Sequence, residues 1–241
     1  MTAVDETSLV SQLMSEALPY GIELSDEQAQ LLVKHLQLVL KKNEQLNLTR
    51  ISTPEEAVRL HIIDSLLLAR FLVGNSFVDI GTGAGFPGIP LGIVTDAHGV
   101  LLDSVGKKVA AVNEFIGELA LRDRLAAVSD RAESYALEHR GEFSSVVARA
   151  VAPTEVLLEY ASPLLENNGV LVVTKGDQDE DEASITNVST LCGFNEVSRE
   201  TFQLPENSGL RVIRKFCKEH DAQVKLPRRV GMARKKPLTK K

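Results

Sequence analysis

The chain has 241 residues with a net charge of −6, and it is 44% hydrophobic and 25% charged. This composition is typical of a soluble globular protein with one sizeable domain, or a domain with a small appendage. No apolar run approaches the roughly 18 residues of a membrane span, and the polar N-terminus does not resemble a secretory signal. Two isolated cysteines, Cys192 and Cys217, form no CxxC pair, which favours a reducing cytoplasm and argues against a zinc site.

The charge is polarised along the chain. Residues 211–241 hold twelve Lys and Arg against two acids, whereas the remaining 210 residues hold 15 against 31. A basic end on an acidic body is the electrostatic pattern of contact with a phosphate backbone. A solvated, flexible end would give the same pattern, so the tail alone leaves both interpretations open.

The N-terminal third has helical patterning and little strand character. Apolar residues recur with helical spacing over 8–17, and Ser25 with Gln28 forms a capping-box pattern before a longer apolar stripe. A polar stop follows at Asn47, and proline at position 54 with acids after it predicts another helix start. We therefore predict an N-terminal helical segment, 1–73, packed on the main domain.

From residue 74 the pattern changes to strands alternating with helices. Strands are predicted at 77–80, 99–102, 125–128, 144–149, 169–174, 194–202 and 210–217, and helices at 86–95, 106–120, 153–165 and 181–191. Such alternation predicts an α/β fold with a doubly wound, mostly parallel sheet. The last two strands lack a helix between them, which predicts an antiparallel edge pair. The main domain is thus expected to span 74–218, followed by a basic tail, 219–241.

The sequence FVDIGTGAGFPGIP at 77–90 predicts a buried strand, a tight turn with glycine at positions 81, 83 and 85, and a helix start. Glycines allow the backbone to approach a ligand closely, and we expect the opening helix to offer it unpaired N–H groups. The motif predicts a nucleotide-like ligand beside Gly81, Gly83 and Gly85. Plain turn chemistry is the alternative.

Three more positions follow successive strands and should meet the glycine turn, because ligands of open α/β sheets lie at the carboxyl ends of the strands. They are Asp103, which can accept hydrogen bonds from a ribose, Ala132-Glu133, near an adenine edge, and Arg149. Each has a structural alternative. Asp103 could cap the next helix, Glu133 could be a surface acid, and Arg149 could pair with a local carboxylate.

Two features favour S-adenosylmethionine over a dinucleotide. Asp79 precedes the first glycine, and the GTGAG spacing differs from GxGxxG. A pyrophosphate would be poorly matched by a nearby carboxylate, whereas a ligand with an ammonium and a sulfonium would tolerate it. His61 and Asp64 have i,i+3 spacing and could form a pair at the site, although a packed, satisfied pair is the favoured interpretation.

Several motifs in order resemble one known family. They are Asn47-Leu48-Thr49, HIIDSL at 61–66, DIGTGAGFPGIPLGI at 79–93, LLDSVGKK at 101–108, Arg131-Ala132-Glu133, Arg149-Ala150-Val151-Ala152, Lys175-Gly176, and PRR with KKPL near the end. The chain resembles the bacterial small-subunit ribosomal RNA (guanine-N7)-methyltransferase G family, also called glucose-inhibited division protein B. The tryptophan often found before the Asn-Leu-Thr motif is absent.

The resemblance implies a Rossmann-like class I S-adenosylmethionine-dependent methyltransferase of the cytoplasm that modifies N7 of one guanine in 16S rRNA. It implies that Gly81 and Phe86 contact the cofactor, that Ala132 and Glu133 contact its adenosine end, and that Arg149 contacts the cofactor or the target base. Asp103 matches the ribose-binding acid of this fold. We expect a monomer, with 16S rRNA or the small ribosomal subunit as partner, without a metal.

Guanine N7 carries a free lone pair, so its methylation needs no general base and none is assigned. Candidates for phosphate contact are Lys175, Arg228, Arg229, Arg234, Lys235 and Lys236. Two other functions stay open from the residues alone: a non-catalytic RNA-binding module and an NAD-dependent oxidoreductase.

Overall fold

A computed structural model of the protein describes residues 5–51, 53–177 and 180–238. The helices are α1 Glu6–Ala17, α2 Asp26–Leu46, α3 Pro54–Ala57, α4 Asp64–Leu66, α5 Gly88–Val94, α6 Gly106–Glu118, α7 Ala132–Glu138, α8 Thr154–Ala161, α9 Glu182–Cys192 and α10 Met232–Lys235. The strands are β1 Ser76–Ile80, β2 His98–Asp103, β3 Leu125–Ser129, β4 Phe143–Arg149, β5 Leu165–Gly176, β6 Phe194–Gln203 and β7 Leu210–Lys218. Among the described residues, no helix is both long and apolar enough to cross a membrane.

The strands form one seven-stranded sheet in the order β3-β2-β1-β4-β5-β7-β6. Strands β1 to β5 pair in parallel, and β7 runs antiparallel to both β5 and β6. The predicted mostly parallel sheet with an antiparallel pair at its edge is confirmed. The strand order reverses between β1 and β4, so the carboxyl ends of these two strands form the switch point at which such sheets bind ligands.

Both faces of the sheet are covered, which explains why its central strands are continuous apolar runs. One buried cluster joins the N-terminal helices to the sheet and α6, through residues such as Leu36, Ile62 and Val112. A second cluster on the other face contains α7, α8 and α9. The N-terminal helices therefore share a core with the sheet.

The N-terminal helices begin and end where the capping residues predict. The Ser25 side chain accepts from the Gln28 N–H while the Gln28 side chain accepts from the Ser25 N–H, and α2 ends at Asn47 with φ 48°. The stretch after Pro54 continues through π-helical turns, Val58–Ile63, into α4. Such turns are frequent at functional sites, and this one carries His61 to the carboxyl end of the sheet.

The C-terminal segment, residues 219–238, packs on the second face of the sheet. Leu226 and Ala233 are buried in the cluster around α8. The alternative of a flexible, solvated end is therefore wrong for this segment, because it contributes apolar side chains to the core. Helix α7, Ala132–Glu138, is an addition to the predicted elements, since no helix is expected from the sequence between β3 and β4.

Candidate functional site

The glycine turn connects β1 to α5 through three left-handed residues. Gly81, Gly83 and Gly85 have φ values of 75°, 61° and 91°, a region that residues with a side chain rarely adopt. The Gly81 and Thr82 N–H groups donate to the Leu102 carbonyl at 2.8 and 2.9 Å, which fixes the turn against the end of β2.

The expected unpaired N–H groups are not available, so that prediction is wrong. The Gly85 and Phe86 N–H groups both donate to the Thr82 carbonyl at 3.0 Å, and the Gly83 N–H donates to Asp103. Helix α5 starts only at Gly88, whose N–H donates to Asp79 Oδ2 at 2.9 Å. The first residues of α5 therefore lack the free donors with which dinucleotide-binding loops hold a pyrophosphate.

Asp79 stabilises the turn from inside the protein. Its side chain is fully buried, and burial raises the pKa of its carboxyl to about 6. Asp79 is thus near the turn, as the sequence predicts, but its Oδ2 accepts from the Gly88 N–H.

The three glycines have different surroundings. A Cβ at Gly83 would meet nothing closer than the Gly81 carbonyl at 3.9 Å, so the space above Gly83 is open to a ligand. A Cβ at Gly81 would lie 2.6 Å from Val151 Cγ2. One at Gly85 would lie 2.7 Å from Ile89 Cδ1, inside the core. Gly85 therefore faces the packed core, and its position does not favour a contact with the cofactor.

A cavity of about 450 Å³ opens beside the turn. Its floor follows the carboxyl ends of β1, β4 and β5, with Gly81–Ala84, Arg149–Ala150 and Thr174–Gly176. The N-terminal segment supplies the facing wall, with Leu48, Leu60, His61 and Asp64 among its residues. The structure therefore brings Gly81, Gly83, Phe86, Arg149 and Lys175 together in one pocket, with His61 and Asp64 beside them.

An aromatic wall stands on one side of this pocket. The Phe86 ring lies between His35, with centroids 4.4 Å apart, and His61, stacked at 4.8 Å and 14°. The guanidinium of Arg149 lies 5.5 Å from the centre of the same ring. Burial lowers the pKa of His35 and of His61 to about 3, and the Arg149 charge adds to the effect on His61. Both imidazoles are therefore neutral at physiological pH.

Arg149 is the centre of a polar network. Its Nη1 donates to the Leu60 carbonyl at 2.9 Å and to Asp64 Oδ2 at 3.2 Å, and its Nη2 lies 3.3 Å from His61 Nδ1. Since Nδ1 accepts from the guanidinium, His61 Nε2 carries the proton and donates to Thr49 Oγ1 at 2.7 Å. The favoured interpretation of His61 and Asp64 as a packed mutual pair is wrong, because both bind Arg149 at the pocket.

Two residues of this pocket were not predicted from the sequence. Arg211 on β7 forms an ion pair with Asp64, its Nε lying 3.1 Å from Oδ2, and Thr174 at the end of β5 lines the same pocket. The sequence feature that could have identified Asp64 is the HIIDSL motif. No local pattern marked Arg211, because only the antiparallel insertion of β7 beside β5 brings it to the site.

The residues predicted for the ribose and adenine lie on the other side of the turn, outside the lining of this cavity. Asp103 is half-buried, accepting from the Gly83 N–H at 3.1 Å and from the Val105 N–H at 2.9 Å. The capping alternative for Asp103 is wrong, because the N-cap of α6 is Val105 and no side chain caps this helix. Glu133 at the start of α7 is buried and accepts from the Gly231 N–H at 2.8 Å. The surface-acid alternative for Glu133 is wrong.

The C-terminal segment is fastened beside Glu133 by its own arginines. Arg228 forms two bonds of 2.7 and 2.5 Å with buried Glu159, and Arg234 Nη2 donates to the Val151 carbonyl at 2.8 Å. The guanidinium of Arg228, a predicted phosphate contact, thus anchors the segment. Arg229, Lys235 and Lys236 are exposed. The Lys175 ammonium already has a carboxylate partner, Glu180.

The pocket suits a ligand with both aromatic and polar groups. Three of its buried side-chain oxygens have no hydrogen-bond partner in the part of the chain that the structure describes: Asp64 Oδ1, Thr82 Oγ1 and Thr174 Oγ1. Such orphaned atoms beside an open glycine turn fit a polar ligand that offers hydrogen-bond partners. No cluster of His, Cys, Asp or Glu suited to a metal ion occurs within residues 5–51, 53–177 and 180–238.

The fold is that of the class I S-adenosylmethionine-dependent methyltransferases. A geranyl diphosphate methyltransferase solved in complex with SAM superposes with a TM-score of 0.56 at 11% identity, over 70% of this chain and 92% of that one. The [4+2]-cyclase SpnF gives a TM-score of 0.54 at 13% identity, over 65% and 81%. At these identities the likeness establishes the architecture alone.

Sequence comparison defines the family. The GidB family model, described as rRNA small subunit methyltransferase G, matches residues 28–208, and the chain belongs to this family. Proteins named ribosomal RNA small subunit methyltransferase G from Desulfitobacterium hafniense and Salmonella arizonae are 36% and 38% identical to it. The alignments cover 97% and 84% of this chain, and 98% and 93% of those proteins. The family resemblance of the motifs is confirmed.

Proposed function

We propose that this protein transfers the methyl group of S-adenosylmethionine to N7 of a specific guanine in 16S rRNA. The observation that carries the proposal is the single pocket in which the glycine turn of β1 meets Arg149 and the N-terminal segment, in a chain of this family. The relatives are named as small-subunit rRNA methyltransferases, which supports the same substrate class here.

In this proposal each predicted residue has a defined task. Gly81, Gly83 and Phe86 form the wall against which the cofactor binds, and the open space at Gly83 allows close approach. Asp103 holds the ribose, while Ala132 and Glu133 hold the adenine end. The cofactor supplies an electrophilic methyl group when bound. Arg149, held by Asp64 and His61, keeps a fixed cation at the boundary between cofactor and target base.

The residues need not remove a proton, because guanine N7 already offers a lone pair. His61 in the pocket lining donates a hydrogen bond from one ring nitrogen to Thr49 and accepts one from Arg149 at the other. Both ring nitrogens are therefore occupied, and His61 holds Arg149 in place. Catalysis then depends on orientation, an effect that can supply up to about 7–11 kcal/mol. A buried pocket also requires an exposed or splayed-out guanine, which favours a loop over a closed helix.

The surface around the pocket suits RNA. Arg229, Lys235 and Lys236 on the C-terminal segment, with Arg234 beside them, provide exposed cations for phosphate contact, and Lys175, paired with Glu180, lies at the pocket itself. We retain three structural units, 1–73, 74–218 and 219–241. We also retain a monomer that acts in the cytoplasm on 16S rRNA or the small subunit.

The oxidoreductase alternative is disfavoured by a specific observation. A dinucleotide loop binds its pyrophosphate through backbone N–H groups, and those of Gly83, Gly85 and Phe86 are already engaged within the turn. The non-catalytic RNA-binding module has no observation in its favour beyond the basic surface, so it is treated as an outcome of the test.

Calorimetric titration and a transfer assay together test the proposal. We expect the protein to bind S-adenosylmethionine and not NAD, and to transfer labelled methyl groups to free 16S rRNA or to assembled small subunits. Binding of NAD alone would support the oxidoreductase. Binding of the cofactor and RNA with no transfer to either substrate would support the RNA-binding module.

A further inference from the structure

The pocket contains a buried carboxylate that the turn and the cofactor contacts do not use. Asp64 is 3% exposed and lines the cavity. Its Oδ2 accepts a hydrogen bond from Arg149 and forms an ion pair with Arg211, whereas Oδ1 has no hydrogen-bond partner among residues 5–51, 53–177 and 180–238. A buried acceptor without a partner is costly, so a ligand that donates to it would be strongly favoured.

A second orphaned acceptor lies in the same part of the pocket. Thr174 is 1% exposed, and its Oγ1 has no partner within the described ranges. Thr174 is in register with Arg149 on β4 and with Ile213 on β7. Asp64 is bound to arginines of these same two strands, so both acceptors belong to the β4–β5–β7 half of the cavity.

The spacing of the strands leaves room for a base between the two halves of the cavity. Adjacent strands lie about 4.8 Å apart, so β5 is roughly 10 Å from β1 and its glycine turn. A guanine between them would direct N7 towards the turn and its Watson–Crick edge towards β5. That edge carries two donor groups, the N1–H and the N2 amino group. Adenine presents an unprotonated N1 there, whose lone pair a carboxylate repels.

We infer that Asp64 is the specificity-determining residue for guanine, accepting a hydrogen bond from the N1–H or N2 amino group through Oδ1. The inference rests on the proposed function, because it names how the target base is chosen at that site. Arg149 and Arg211 fix the carboxylate through Oδ2. Their positive charges offset its negative charge, which would otherwise repel the phosphates of RNA. Thr174 Oγ1 supplies a second acceptor beside it.

Nucleotide binding to the cofactor-saturated protein tests this inference. The probes are GMP, AMP and 1-methyl-GMP, which keeps N7 and the amino group but lacks the N1–H. We expect the unmodified protein to bind GMP about 10- to 100-fold more tightly than AMP, as a hydrogen bond to a charged acceptor implies. GMP should also be preferred over 1-methyl-GMP by about tenfold or more.

The variant Asp64→Asn replaces an acceptor by an amide that can also donate to adenine N1. We expect the GMP-to-AMP preference to fall at least about tenfold, while Asp96→Asn, an exposed control, leaves it unchanged. If Asp64 only holds the arginines, all three nucleotides weaken together and the preference persists, which overturns the inference. Equal binding of GMP and 1-methyl-GMP together with an unchanged preference in Asp64→Asn overturns it as well.

The probe series in the unmodified protein does not depend on whether Asp64→Asn folds. Failure of the inference is also distinct from failure of the proposed function. If labelled methyl groups reach 16S rRNA but base preference ignores Asp64, this inference alone is wrong. If no transfer occurs to free or assembled rRNA, the proposed function is wrong.

Discussion

Replacement of Gly83 by valine separates the backbone role of the glycine turn from its role in the pocket. Gly83 has φ 61° and open space above it, so a side chain there would project into the cavity. Gly21 provides a matched control, because it has φ 70°, lies in a turn after α1, and has no atom within 4 Å of the point that a Cβ would occupy. Both substitutions impose left-handed strain, and only one of them fills the pocket.

The expected magnitudes follow from these surroundings. A side chain in the left-handed region costs about 1–3 kcal/mol, so both variants should unfold at a temperature roughly 3–10 °C lower than the parent. Filling space that the cofactor needs costs a further ~1–3 kcal/mol in binding, equivalent to about a 5- to 150-fold rise in Kd. Gly83→Ala should show a smaller rise than Gly83→Val.

Calorimetric titration with S-adenosylmethionine, below the melting temperature of each variant, measures the difference. Gly21→Val should bind the cofactor with the parent Kd despite its lower stability. If Gly83→Val also binds with the parent Kd while losing the same stability, the cofactor pocket lies elsewhere and the reasoning fails.

Three further predictions concern stability and RNA. His35 has its pKa lowered to about 3, so below pH 6.5 the unfolded state takes up a proton that the native state does not. Native stability is therefore lost from pH 6.5 towards 3 at about 1.4 kcal/mol per pH unit. In urea titrations at several pH values, His35→Gln should make this pH dependence shallower by one proton. Arg228→Ala should lower the free energy of unfolding by about 3 kcal/mol, because it leaves Glu159 buried and unpaired. Arg229→Ala, at an exposed position, should lower it by less than about 0.5 kcal/mol. Equal losses in the two variants would contradict the anchoring role of Arg228. Alanine at Arg229, Lys235 and Lys236 should lower the salt slope of RNA binding by about 2–3 and leave the cofactor affinity unchanged. Alanine at three other exposed cations, Lys41, Lys107 and Arg122, should leave the salt slope unchanged. If the slope is also unchanged in the first variant, the C-terminal segment does not take part in RNA binding.

All seven predicted strands occur, within a few residues at either end. The central strands β1 and β4 are buried on both faces, which leaves a continuous apolar signal in the sequence. The edge strand β6 is largely exposed and lacks such a run. Helix α7 was missed, because Ala132–Glu138 is short and lacks a long apolar stripe. The packing of the basic tail was left open for a similar reason, since two small or apolar buried residues, Leu226 and Ala233, are too few to predict it.

The site was predictable only where a local motif carried it. The glycine turn, Asp103 and Arg149 lie at the ends of predicted strands, so topology alone brought them towards one another. The partners of Arg149 could not be deduced in the same way. Asp64 comes from the N-terminal segment and Arg211 from the antiparallel strand β7, and their meeting depends on long-range packing. The engaged N–H groups of the turn likewise follow from hydrogen bonds to Thr82 and Asp103, which no spacing rule reveals.

The central claim is that the pocket directs a methyl group to guanine N7, and the identity of the product nucleoside tests it most directly. After a single turnover with isotopically labelled S-adenosylmethionine, the 16S rRNA is digested to nucleosides and analysed by mass spectrometry. We predict label in 7-methylguanosine and in no other nucleoside, reduced in Gly83→Val at subsaturating cofactor and retained in Gly21→Val. Label in any other nucleoside would contradict the claim.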